Sequence, residues 1–123
     1  MGKTVQIIDQ SVVEELLSLG DDGDPELLLD LIEMFAEDAP IKLGEVLRGF
    51  EAQDFESIER AAHSLKGSSG NLGATQLQRV CESLQAASRS HELERLRGLA
   101  DELEREFAVA LDALRAVQQR YAS

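Results

Sequence analysis

Asp54-Phe55-Glu56-Ser57-Ile58-Glu59-Arg60-Ala61-Ala62-His63-Ser64-Leu65-Lys66-Gly67-Ser68-Ser69-Gly70-Asn71-Leu72 carries its apolar and small residues at Phe55, Ile58, Ala62, Leu65, Ser69 and Leu72, in alternating steps of three and four. That spacing predicts an amphipathic helix capped by Asp54. On a wheel of about 100° per residue the stripe centres on one face, and His63 falls more than about 90° from it. The histidine is therefore expected to face solvent. Lys66 at i+3 and Gly67 at i+4 share its face, so a cation and a position without a side chain stand beside the imidazole. Gly70 lies two turns on, although a helical glycine costs about 1 kcal/mol relative to alanine. Either the helix is ending there, as Asn71 and Gly73 suggest, or the strip is kept bare so that another molecule can approach the ring.

The same periodicity extends in both directions. A first helix is expected from Ser11, with Glu14 completing a capping box, ending at Gly20 and the acidic turn Asp21 to Asp24. Asp24-Pro25 reads as the start of a second helix with an inward stripe of Leu27, Leu28, Leu31, Ile32 and Phe35. Pro40 should break or bend it, so Leu43, Val46, Leu47 and Phe50 read as a third helix. After the Asp54 helix, Thr75 and Gln78 suggest a capping box for another, with Leu77, Val80, Cys81, Leu84 and Ala87 inward. A long last helix from about Ser90 repeats Leu93, Leu96, Ala100, Leu103, Phe107, Ala110, Leu114, Val117 and Tyr121. The expected fold is all-α, an antiparallel four-helix bundle core over about residues 24–121 with additional N-terminal helices. Residues 1–123 read as one domain, with segment 1–8 as an N-terminal arm.

Composition narrows the chemistry. The 123 residues include 24 acidic and 12 basic side chains, a formal charge of -12, which disfavours nucleic acid and anionic lipid as partners. Cys81 is the only cysteine, so no internal disulfide or cysteine-based metal site can form, and its apolar neighbours suggest a buried thiol. Met1 to Thr4 lead into no apolar run of signal-peptide length, and Asp30 and Glu33 interrupt the densest apolar stretch, Leu27 to Phe35. A cytoplasmic location with no membrane contact is expected. His63 has no second histidine or cysteine at ligand spacing and only Glu59 at i-4, so neither a metal site nor a metal-assisted hydrolase is supported. His91, among Ser88, Arg89, Ser90 and Glu92, has no partner set and reads as a surface residue. Gly67-x-x-Gly70-x-x-Gly73 follows no strand and fits no nucleotide-binding loop, so no ATP site or other cofactor site is expected.

The run Ala61-Ala62-His63-Ser64-Leu65-Lys66-Gly67-Ser68-Ser69-Gly70-Asn71-Leu72-Gly73-Ala74 resembles the signature of histidine phosphotransfer (HPt) domains, the phosphorelay modules that read approximately A-H-x-L-K-G-(S/A)-(S/A)-x-x-(L/I)-G. The resemblance extends from about Asp9 to about Tyr121, through the Asp24-Pro25 start, the Phe35 to Pro40 segment, the Asp54 cap and the Cys81 to Gln85 segment. It implies a four-helix bundle core with added helices at the ends. It also implies His63 as phosphoryl acceptor, Lys66 as the cation that offsets phosphate charge, and Gly67 as clearance for an incoming receiver domain. Gln85 corresponds to a residue that contacts the active imidazole, a place that Gln78 could also fill.

By this resemblance the phosphoryl group arrives from a receiver's aspartyl phosphate and leaves to another receiver's aspartate, so the chain is a phosphocarrier rather than an enzyme. The Mg2+ ion would belong to the partner receiver, found on a response regulator or hybrid sensor kinase, and the carrier is expected to be a monomer. The side-chain oxygen of Gln85 would hold one ring N–H and leave the other nitrogen free to attack. Docking is assigned to the first helix and Val5 to Ile8, apolar residues with no evident core role. The alternative is a helical adaptor that binds a kinase or receiver without being phosphorylated.

Overall fold

The computed structural model describes residues 6–122. Among them are five α-helices and a single 3-10 turn. Helix α1 spans Gln10–Ser18, the turn spans Asp21–Gly23, and α2 spans Glu26–Ala52. The remaining helices are α3 (Phe55–Asn71), α4 (Thr75–Arg89) and α5 (Leu93–Tyr121). Helices α2 to α5 follow one another through short connections and close a ring in which α3 packs on α2 and α4, and α5 packs on the same two from the other side. Short connections force neighbours to run antiparallel, so this is the expected four-helix bundle with α1 added at its N-terminal side.

The bundle holds together along the predicted stripes. Leu28, Ile32, Phe35 and Val46 of α2 meet Ile58, Ala62 and Leu65 of α3, Leu77, Cys81 and Leu84 of α4, and Leu96, Leu103 and Leu114 of α5 in one apolar core. Phe35 and Phe107 stack with ring centroids 5.9 Å apart, fixing α2 against α5. Arg115 and Gln118 of α5 both bond the Glu33 carboxylate of α2, each at 3.0 Å. These donors hold the Glu33 carboxyl below its usual pKa, Gln118 contributing most. Cys81 is buried as expected, and loss of solvent pushes its thiol up to about 12.

Four local expectations are corrected. Pro40 neither breaks α2 nor starts a new helix: it sits exposed within one continuous helix. Its ring is exposed, and although it removes the hydrogen bond to the Ala36 carbonyl, burial on both sides, from Leu28 to Val46, outweighs the local cost of about 3 kcal/mol. Leu27 is 38% exposed and does not belong to the core stripe. Ser11 does not cap α1, because the Asp9 carboxylate accepts from both its backbone N–H (3.0 Å) and its hydroxyl (2.7 Å), starting the helix earlier. Thr75 and Gln78 form no capping box: α4 has no side-chain cap, and the Gln78 side chain is engaged over Gly70 instead. Asp24 behaves as expected to within one residue, accepting from the Glu26 N–H at 3.0 Å.

The N-terminal arm is a further correction. Residues 1–5, Val5 included, lie outside the described residues, but Ile8 is only 4% exposed and Ile7 packs against the core. The segment lies beside Ala113, Ala116 and Val117 of α5, and the Asp9 N–H donates to the Gly73 carbonyl at 2.8 Å. Gly73 is required there, since its φ is +76° and a Cβ would stand 3.1 Å from the Asp9 backbone.

Two tests follow from these contacts. Ile8→Ala should cost about 2–4 kcal/mol in urea unfolding, as deletion of a core side chain does; a loss near zero would return the segment to the surface. Asp54 caps α3 through the Ser57 hydroxyl (2.7 Å) and N–H (3.1 Å), the hydroxyl chiefly holding its carboxyl below the ordinary 3.8. This stabilisation is complete above that value and vanishes as pH falls through the lower folded-state pKa. Asp54→Asn should therefore melt lower than wild type near pH 6, and the gap should close towards pH 2; a constant gap would contradict a charge-assisted cap.

Candidate functional site

Helix α3 has three sides with different fates. Ile58, Ala61, Ala62, Leu65 and Ser69 are buried against the neighbouring helices, which leaves His63 and Gly67 exposed and Lys66 half-buried along an outward strip. The wheel's placement of His63 is thus correct.

Gln85 reaches the imidazole from α4. It is buried, and its amide nitrogen Nε2 lies 3.2 Å from Nδ1 of His63. Gln78, the other candidate, packs over Gly70 and does not serve. The amide end facing the ring differs from the expected oxygen. In this orientation the amide N–H donates to Nδ1, which keeps the ring proton on Nε2. The two ends of the amide are nearly isosteric, so half a turn puts Oε1 in the same place. There it accepts from Nδ1–H and leaves Nε2 with a free lone pair.

Charge around the ring is arranged by pairing. Glu59, one turn before His63, is drawn across to Arg89 at the end of α4, and Glu56 pairs with Arg60 at 2.9 Å. Lys66 has no carboxylate within ion-pair distance among the described residues. One uncompensated ammonium therefore stands beside an imidazole from which the nearest carboxylate has been turned away. His91 is remote from this group: it takes a left-handed φ of +53° and stacks on Phe55, centroids 4.3 Å apart.

The two glycines of the strip separate. A Cβ at Gly67 would meet nothing within 4 Å, whereas one at Gly70 would stand 3.0 Å from the Gln78 amide. Gly67 is bare towards solvent; Gly70 is bare because α4 packs on it. A small cleft of about 130 Å³ between α2 and the C-terminal part of α3 is lined by Met34, Asp38, Ser68 and Asn71. Met34 (55% exposed) and Ile41 (58% exposed) continue from Leu27 at seven-residue intervals as an apolar stripe on α2. The sequence reading missed this stripe because dividing α2 at Pro40 separated Met34 from Ile41.

The match to known proteins agrees with this arrangement. The Hpt domain family profile covers residues 30–120. The chain belongs to the Hpt domain family. This Hpt domain is 35% identical over 80 residues to multistep phosphorelay regulator 1 of Schizosaccharomyces pombe, covering 65% of this chain and 27% of that protein. It is 29% identical over 87 residues to histidine-containing phosphotransfer protein 2 of Arabidopsis thaliana, covering 65% of this chain and 56% of that protein. It therefore spans between about a quarter and just over half of these two relatives. The crystal structure of histidine-containing phosphotransfer protein B from Pseudomonas aeruginosa PAO1 superimposes with a TM-score of 0.86 at 30% identity, over 97% of this chain and 100% of that one. No helix among the described residues of the Hpt domain is long and apolar enough to cross a membrane.

The glycines give a direct test. Gly67→Ala should raise stability by roughly 0.5–1 kcal/mol, the ordinary gain for a helix interior with free space. Gly70→Ala must displace Gln78 and should gain less or lose. Equal thermal shifts for the two variants would contradict the difference in their surroundings.

Proposed function

We propose that this Hpt domain is a phosphorelay intermediate acting as a cytoplasmic monomer, in which His63 accepts a phosphoryl group from one receiver's aspartyl phosphate and passes it to another receiver's aspartate. The observation that carries this reading is an exposed imidazole held from behind by a buried amide, beside an open glycine and a lysine with no ion-pair partner among the described residues. In the step itself, the Nε2 lone pair forms the N–P bond as the P–O bond to the donor aspartate breaks, and the aspartate leaves as carboxylate. The proton stays on Nδ1, where the Gln85 oxygen accepts from it and offsets the positive charge that phosphorylation places on the ring. Lys66 offsets the charge of the transferred oxygens. Gly67 admits the receiver's surface close to the ring. A Mg2+ ion would arrive on the receiver's own carboxylates, and this chain carries phosphate without drawing it from ATP.

The exposed stripe Leu27, Met34 and Ile41 of α2, the helix packed against α3, supports docking there rather than at the N-terminal segment, where Ile8 is buried. Incubation with a phosphorylated receiver and Mg2+ should place an acid-labile, alkali-stable label on the wild type and none on His63→Gln; a label surviving that substitution contradicts the reading. In the same assay Met34→Asp combined with Ile41→Asp should slow labelling about tenfold or more with helicity retained, whereas unchanged labelling would exclude the α2 stripe.

A further inference from the structure

A second cleft, of about 550 Å³, opens between the C-terminal half of α2 and the N-terminal half of α3. Its lining runs to Arg60 and Ala61, less than one helical turn before His63 in α3. Lys42, Arg48 and Arg60 line it, three of only 12 basic residues in a chain with 24 acidic ones. Its two carboxylates are both engaged: Asp54 caps α3 through Ser57, and Glu45 pairs with Lys42 at 3.4 Å. The pairs Lys42–Glu45 and Arg60–Glu56 are solvent-exposed, of a kind worth about 1 kcal/mol or less, so an incoming anion can replace them cheaply.

Arg48 has no carboxylate within ion-pair distance among the described residues. Its guanidinium lies back over Gly44, 3.2 Å from where a Cβ would stand. An alanine there would push it away, so glycine lets the cation lie along α2.

We infer that the α2–α3 cleft is an electrostatic seat for an acidic segment of the receiver domain, drawing the receiver to the face that carries His63. The inference rests on the function proposed above. The occupant follows from charge: a surface that presents an aspartyl phosphate and binds Mg2+ must gather carboxylates around it. Most of this carrier's surface repels such a partner, and the cleft attracts it at the place where docking is productive.

The test compares two variants with the same change in net charge. In one, Lys42, Arg48 and Arg60 are each replaced by Gln; in the other, Arg95, Arg105 and Arg120 of α5, the helix diagonal to α3, are replaced likewise. Receiver domains of the same organism, phosphorylated with a small-molecule phosphodonor and Mg2+, serve as probes, and the one that labels wild-type His63 fastest is used. At low salt the cleft variant should lose about tenfold in the second-order transfer constant, lose most of its salt dependence, and keep its rate at saturating receiver. The α5 variant should change less than about twofold. Equal effects in the two variants, or none in the cleft variant, would overturn the inference while wild-type transfer leaves the function standing. Failure of every receiver to label the wild type would overturn the function and this inference with it.

Discussion

Helix α3 has to bury its Ile58-Ala62-Leu65-Ser69 stripe against two neighbours at once, and this constraint places everything else. With α2 on one flank and α4 on the other, a single strip of the helix remains free, and His63, Lys66 and Gly67 occupy it. Small residues at 61, 62 and 69 let the neighbours come close enough for a side chain of α4 to reach the strip from below. Gln85 is that side chain, a buried polar group for which the imidazole is the hydrogen-bond partner. A buried amide without a partner is costly, so ring and amide hold one another in place.

Much of this was legible in the sequence because helical burial leaves a periodic trace. The stripes of α3, α4 and α5 appear in the structure at the expected residues, and the outward direction of His63 follows from the wheel alone. What failed was local. A proline normally ends a helix, but Pro40 lies on the exposed face of α2, and the packing on either side of it outweighs the one helical hydrogen bond it removes. The capping signals of Ser11 and Thr75 were overridden by a better carboxylate at Asp9 and by a tight turn at Gly73. The role of Ile8 was hidden because its burial depends on α5, more than a hundred residues away.

The site divides in the same way. Its face was predictable from spacing, but the choice of Gln85 over Gln78 was not, since both lie on α4 and only three-dimensional packing sends one to Gly70 and the other to His63. The electrostatic layout was also invisible in one dimension. A net charge of -12 says nothing of Glu59 being taken up by Arg89, of Lys66 having no ion-pair partner among the described residues, or of three cations meeting in one cleft. Local charge and global charge have opposite signs where the chain is read as meeting its partner.

The central claim is that the buried Gln85 amide, turned so that its oxygen accepts from Nδ1–H, leaves Nε2 as the nucleophile. The 15N chemical shifts of the His63 ring, recorded at a pH where the imidazole is neutral, test it most directly. The account predicts a protonated Nδ1 and an unprotonated Nε2 in the wild type, with the preference lost in Gln85→Ala. A wild-type ring carrying its proton on Nε2 would contradict it.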